Sequence, residues 1–140
     1  MFSGNYLVTS FKKELLEGVH DFTAHTFKLA LFTNEATLNA STTAYGAAGE
    51  VSGAGYTAGG GNLTAPATAS VGTTAFVTFE DAEWPGATLT ARGGLVYNSS
   101  VAGNPAVAVL DFGADKVANG ATFTVQFPAA TAEAALIRIA

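Results

Sequence analysis

Alternation of apolar and polar residues dominates this chain. From Ala121 to Phe127, Ala121, Phe123, Val125 and Phe127 fall on one face and Thr122, Thr124 and Gln126 on the other. That is the period-two signature of a half-buried β-strand. It recurs at Thr26–Phe32, Ala87–Arg92 and Ala134–Ile139. The first of these predicts a strand with Phe27, Leu29 and Leu31 inward. Further strands are predicted at 62–66, 74–80, 87–98 (one strand, or two broken at Gly93-Gly94), 106–112, 121–127 and 134–139. Ala106–Phe112 is apolar on both faces, which predicts a central strand buried between two layers. Asn104-Pro105 and Asn119-Gly120 supply turns on either side of it.

Only the N-terminal region has a helical period. Phe11, Leu15 and Val19 lie four apart on one face, and Leu16 widens that stripe. Ser10 is a candidate N-cap, with Asn5 an earlier one, and Gly18 is a stop signal. The pattern predicts one amphipathic helix over about 6–18 that covers an open end or face of the sheets. Residues 33–61 show no sustained period; they are Gly-rich and include Asn34, Asn39 and Ser41. A loop of that length inside a compact domain is usually functional or bound to something. Tyr45 and Tyr56 sit in it, and a short strand fits around Glu50–Val51. The expected architecture over 1–140 is a single mainly β domain, an antiparallel β-sandwich or jelly-roll-like fold with one N-terminal amphipathic helix.

Composition narrows the function. A chain of 140 residues buries enough surface for one core without staples. It has no cysteine, which removes disulfides and thiolate metal sites. A net charge of −5 with six Lys and Arg argues against a nucleic-acid surface, which needs clustered cations. The first residues do not read as a secretory signal, and no apolar run approaches the roughly 20 residues of a membrane span. Charged residues make up 12% of the chain, about half the usual share. Ala, Gly and Thr take their place, as suits either a surface partly covered by neighbours or a compact β protein with small loops.

The motifs that suggest chemistry are weak in context. Asp111-Phe112-Gly113 spells the metal-binding triplet of protein kinases without the rest of the kinase set. Gly53-Ala54-Gly55-Tyr56-Thr57-Ala58-Gly59 misplaces the third glycine of a dinucleotide loop and lacks its strand–helix setting. His20, Asp21 and His25 are zinc-ligand types, but their spacing does not stack the histidines on one helix face and no third strong ligand stands out. They read as a solvated turn with a capping Asp21. Asp111 and Asp115 bracket a glycine turn and are a weak calcium candidate. Glu80, Asp81 and Glu83 before Trp84 read as a turn rather than as glycosidase carboxylates. Asn39, Asn62 and Asn98 open N-glycosylation sequons that need a secreted context to matter. The expectation is a protein that is not an enzyme and uses no cofactor and no metal.

The order of segments carries more. A helix leads into His25-Thr26-Phe27-Lys28-Leu29-Ala30-Leu31-Phe32-Thr33-Asn34, and a Gly-rich stretch, Gly53 to Gly60, follows. Then come Leu95-Val96-Tyr97-Asn98, Ala108-Val109-Leu110-Asp111-Phe112-Gly113, Asn119-Gly120-Ala121-Thr122-Phe123-Thr124-Val125 and the closing Leu136-Ile137-Arg138-Ile139-Ala140. Across nearly the whole chain this arrangement resembles small virion structural proteins of tailed bacteriophages. It is similar in size and style to the capsid cement (decoration) proteins of short-tailed phages. The resemblance implies a jelly-roll-like β-sandwich, often a homodimer with a trimer as the alternative, made in the host cytoplasm and carried on the capsid exterior. It implies the major capsid protein as partner, with capsomers bridged against internal DNA pressure, and no nucleic acid, membrane or catalytic residue.

Expected contact residues for the capsid or a second subunit are Phe2 and Tyr6 in the N-terminal arm, Tyr45 and Tyr56 in the long loop, and Trp84. For each the alternative is packing inside the chain. A second function stays open: a tail or fibre component, with Trp84 and its neighbouring carboxylates stacking a glycan.

Overall fold

The computed structural model of the chain describes residues 2–64 and 68–140. It is mainly β, with the elements β1 (Tyr6–Leu7), α1 (Thr9–Leu16), β2 (Phe27–Phe32), β3 (Gly61–Asn62), β4 (Ala69–Val71), β5 (Thr74–Val77), β6 (Ala82–Asn98), β7 (Ala106–Val125) and β8 (Ile137–Ile139). These form two antiparallel sheets: a five-stranded one in the order β1-β7-β6-β2-β3 and a three-stranded one in the order β4-β5-β8. One cluster of buried apolar side chains draws on both, from Leu29, Leu31, Leu95 and Val109 in the larger sheet to Val77 and Ile137 in the smaller.

The helix is shorter than the sequence predicts. Tyr6 and Leu7 are spent on β1, paired with Val109 and Ala108, and the Val8 N–H donates to the Val107 carbonyl at 3.1 Å. Strand pairing therefore holds residues that the 3.6 period would accept, and α1 starts at Thr9. No side chain caps it; instead the Thr9 N–H donates to the Ala40 carbonyl at 2.9 Å. Phe11 is buried and Leu15 half-buried, but Leu16 is 91% exposed. The apolar stripe is narrower than expected. Gly18, at φ +74, ends the helix in the conformation only glycine takes freely.

The sequence divides the C-terminal half into several short strands, whereas the structure makes it one long ribbon. β6 and β7 pair from Tyr97↔Ala106 to Ala82↔Val125. Asp111-Phe112-Gly113 and Asn119-Gly120, read as turns, are bulges in it, whereas Asn104-Pro105 lies in the reversal that joins its two strands. Between Ala91↔Lys116 and Gly93↔Asp111, Arg92 alone stands against Phe112–Asp115. Gly113 takes φ +81 there, and its N–H donates to Asp111 Oδ1 at 2.8 Å. Gly120, at φ +64, is the extra residue between Ala87↔Ala121 and Thr88↔Asn119. Turn chemistry at a Gly fixes a positive φ; whether the chain reverses there depends on the partner strand, and β6 runs straight past. Beyond Gly120 the alternation stands, with Phe123, Val125 and Phe127 buried and Thr122, Thr124 and Gln126 exposed.

The expected strands at 74–80 and 134–139 shorten to β5 and β8, and the one at 62–66 begins as β3, with residues 65 and 66 outside the described residues. Glu50 makes an isolated bridge to Phe32 rather than a strand. In β2 both faces are buried, because Ala30 and Phe32 join Phe27, Leu29 and Leu31 inside. Register sorts these faces. Phe27 lies with Asn98, and Leu29 with Val96, on the face where Phe22 stacks on Phe27 at 4.4 Å and Phe79 lies 5.9 Å away. Phe32 and Tyr97 belong to the opposite face, where Tyr45 stacks on Tyr97 at 4.7 Å and sits 6.5 Å from Phe32. The aperiodic segment after β2 is the cover of that second face.

Candidate contact surface

Tyr45 and Tyr56 are tied down by one carboxylate. The Tyr45 and Tyr56 hydroxyls donate to the two oxygens of Glu50, both at 2.5 Å, and the Gly59 N–H donates to the second oxygen at 2.8 Å. The Tyr56 hydroxyl also accepts the Leu31 N–H at 3.0 Å, and the Tyr97 hydroxyl donates to the Gly59 carbonyl at 2.5 Å. Burial, then the Glu50 carboxylate, pushes the Tyr45 and Tyr56 hydroxyls far above the ordinary tyrosine range, and Tyr97 moves the same way. Each cause opposes a second negative charge in the cluster, so the hydroxyls stay protonated donors. This geometry fastens 33–60 onto the larger sheet.

The other three expected contact residues are also drawn inward to differing degrees. Phe2 is 5% exposed, bridges to Leu38 and lies under the Arg92 guanidinium at 5.9 Å. Its ring fills the space above Gly93, where any Cβ would collide with it. Trp84 is 6% exposed, 6.1 Å from Tyr56 and 6.2 Å from Phe123. The structure thus gathers Tyr56 and Trp84 into one aromatic row that continues through Phe123 to Phe112, another 6.3 Å on. Tyr6 is half-buried, with its hydroxyl 3.0 Å from Ser3 Oγ.

One surface open to a partner is the outer side of β7. On that side β1 pairs only with Ala108 and Val109. The Asn5 side chain extends the edge by one position, its Oδ1 accepting the Asp111 N–H at 2.6 Å. From Lys116 to Val125 no strand follows among the described residues. Beside this edge runs a groove of about 590 Å³, walled by Leu110, Phe112, Phe123, Val125, Phe127 and Leu136, with Lys116 at its rim. Lys116 stands opposite buried Ala91, and its near neighbour Ala118 is buried opposite Leu89. Period two therefore places the lysine on the groove side of the strand. It makes no ion pair among the described residues. On the opposite face Thr88, Thr90, Val117, Thr122 and Thr124 form an exposed, Thr-rich surface, with Glu83 opposite Thr124. The sequence conceals this edge, because Asn119-Gly120 splits β7 into two predicted strands. The paired signals Asp111…Gly113 and Asn119-Gly120, read as bulges, would have exposed it.

Several of the remaining candidates are occupied within the chain. Asn98, fully buried, sets its amide nitrogen 3.1 Å from His20 Nδ1 and 2.9 Å from His25 Nδ1. Its oxygen accepts the Ser100 N–H at 3.0 Å, which fixes the amide orientation and makes both imidazole nitrogens acceptors. His20 Nε2 is then the donor to Glu14 Oε1 at 3.0 Å. Asp21 Oδ1 accepts the Thr23 N–H at 2.9 Å and the Thr23 hydroxyl at 2.6 Å, bonds that hold its carboxyl below the usual range. Asp111 is held by the Gly113 N–H and by Arg92, which lower it likewise. Asp81 accepts the Phe127 N–H at 3.2 Å. No trio of His, Asp or Glu converges among the described residues, and no helix among them is long and apolar enough to cross a membrane. No protein-family model, curated protein or solved structure matches the chain.

Proposed function

We propose that this chain is a tailed-phage capsid decoration protein that binds the outside of the head, bridges capsomers of the major capsid protein and stabilises the shell. The observation that carries the reading is the open edge of β7 beside an apolar groove, a surface that another protein would cover. The segment order described above directs that contact to a virion. We read the two antiparallel sheets, which share one core, as a β-sandwich of jelly-roll type. Such a clamp needs no catalytic group and no cofactor; it needs modest contacts repeated over the shell, whose effects accumulate as in multivalent binding. The Thr-rich, weakly charged face of the ribbon supports close packing against neighbours, including further copies of this chain. Of the five expected contact residues, Tyr6 lines a small cleft with Asn5, Leu110 and Leu136, which also line the groove. Trp84, covered by Tyr56 and Phe123, presents little ring face to a sugar, which favours protein contact over glycan binding.

Co-sedimentation of the purified chain with heads prepared without it tests the proposal. Saturable binding that raises the temperature at which heads release DNA is the expected result. A folded chain that leaves heads unbound refutes it.

A further inference from the structure

The open stretch of β7 is unusually long for an edge left without protection. Exposed edges are ordinarily blunted by proline, by charge or by shortness, because unpaired N–H and C=O groups template another strand. From Val117 to Phe127 there is neither proline nor charge. The bulge at Gly120 interrupts the edge once and leaves Ala121–Val125 as an extended run. Backbone groups in strand geometry are matched best by another backbone, so an extended peptide fits this edge better than a compact ligand does.

The groove specifies what the peptide carries. A strand laid along β7 alternates its side chains between the two faces. Those on the inner face would enter the space among Leu110, Phe112, Phe123 and Leu136, which suits apolar groups. At the rim, Asp111 is already committed to Arg92 and to the Gly113 N–H. Lys116 is the charge left over, so the complementary residue on the incoming segment is acidic. We infer that the outer edge of β7 takes up an extended segment of a partner protein as an added strand. Its apolar side chains, at every second position, seat in the groove, and a carboxylate meets Lys116. This deepens the reading above, resting on it only in supposing that the partner is a protein.

The test uses the full chain and two synthetic peptides. One alternates valine and threonine and ends in aspartate; the other carries lysine in place of the aspartate. Amide hydrogen exchange is followed along Lys116–Val125. The acidic peptide is expected to slow the outward-facing amides by about tenfold or more, with the basic peptide weaker. In Lys116→Glu, an exposed substitution that spares the core, the preference reverses. No slowing by either peptide, or equal slowing by both on both chains, overturns the inference. Slowing that depends on chain concentration alone assigns the edge to a second copy and also overturns it. Exchange measured on head-bound chain separates the two proposals. Hardened shells carrying a chain whose β7 amides exchange as in the free state leave decoration standing and remove strand addition. Peptide uptake by a chain that does not bind heads does the reverse.

Discussion

Replacing Glu50 tests whether residues 33–60 are part of the folded core or merely lie over it. The carboxylate accepts from the Tyr45 hydroxyl, the Tyr56 hydroxyl and the Gly59 N–H. A hydrogen bond to a charged group contributes about 1.5–3 kcal/mol net, so three at the low end reach about 4–5 kcal/mol. They share one acceptor and Glu50 is only half-buried, so solvent screening and coupling reduce the sum. We expect Glu50→Ala to cost about 3 kcal/mol, chiefly through donors left without an acceptor. Glu50→Gln keeps the shape: its oxygen still accepts from Tyr56 and Gly59, and its amide donates to Tyr45. Losing the charge alone should cost about 1 kcal/mol. Urea unfolding followed by Trp84 fluorescence reads both, since Trp84 lies 6.1 Å from Tyr56. Limited proteolysis of 33–60 reports whether the loss is local. A Glu50→Ala chain within about 0.5 kcal/mol of the parent, with its loop equally protease-resistant, would refute the anchoring argument. Equal losses in both variants would refute the ranking of shape above charge.

Three further predictions follow from the same packing. Tyr45, Tyr56 and Tyr97 are raised above their unfolded value, so their contribution is complete below the ordinary tyrosine range and is lost as pH rises beyond it. Tyrosinate absorbance should therefore rise together with alkaline unfolding, and Glu50→Gln should shift that rise to lower pH. Gly93→Ala drives a Cβ into the Leu110 carbonyl oxygen and the Phe2 ring; because the backbone oxygen cannot turn aside, we expect a loss of about 2–3 kcal/mol, only partly restored by adding Phe2→Ala. Phe11→Ala, at a residue 1% exposed, should cost about 3–5 kcal/mol. Leu16→Lys, at a residue 91% exposed, should stay within about 0.5 kcal/mol, and thermal unfolding of the two variants checks the narrowed face of α1.

The sequence by itself determined the mainly β class, the single N-terminal helix and most buried positions of β2 and the end of β7. Those follow from local alternation, since a strand's two faces are set by period two whatever it pairs with. It also marked Gly18 and Asn119-Gly120 as interruptions, and glycine takes a positive φ at Gly18 and Gly120 without the strain of a side chain. Tertiary structure decided what those positions do. Gly113 and Gly120 became bulges because β6 supplies a continuous partner, and Tyr6 and Leu7 left the helix because β7 offered them strand bonds. Of the expected contact aromatics, Tyr45 and Tyr56 packed inward, Tyr45 on Tyr97 and Tyr56 beside Trp84 of β6, because the second face of the larger sheet needed covering and the aperiodic segment was the chain available to cover it. The open edge of β7 was likewise settled only in three dimensions: whether a strand lies at an edge depends on how far distant segments run beside it, and β1, antiparallel to β7, pairs no further along it than Tyr6↔Val109.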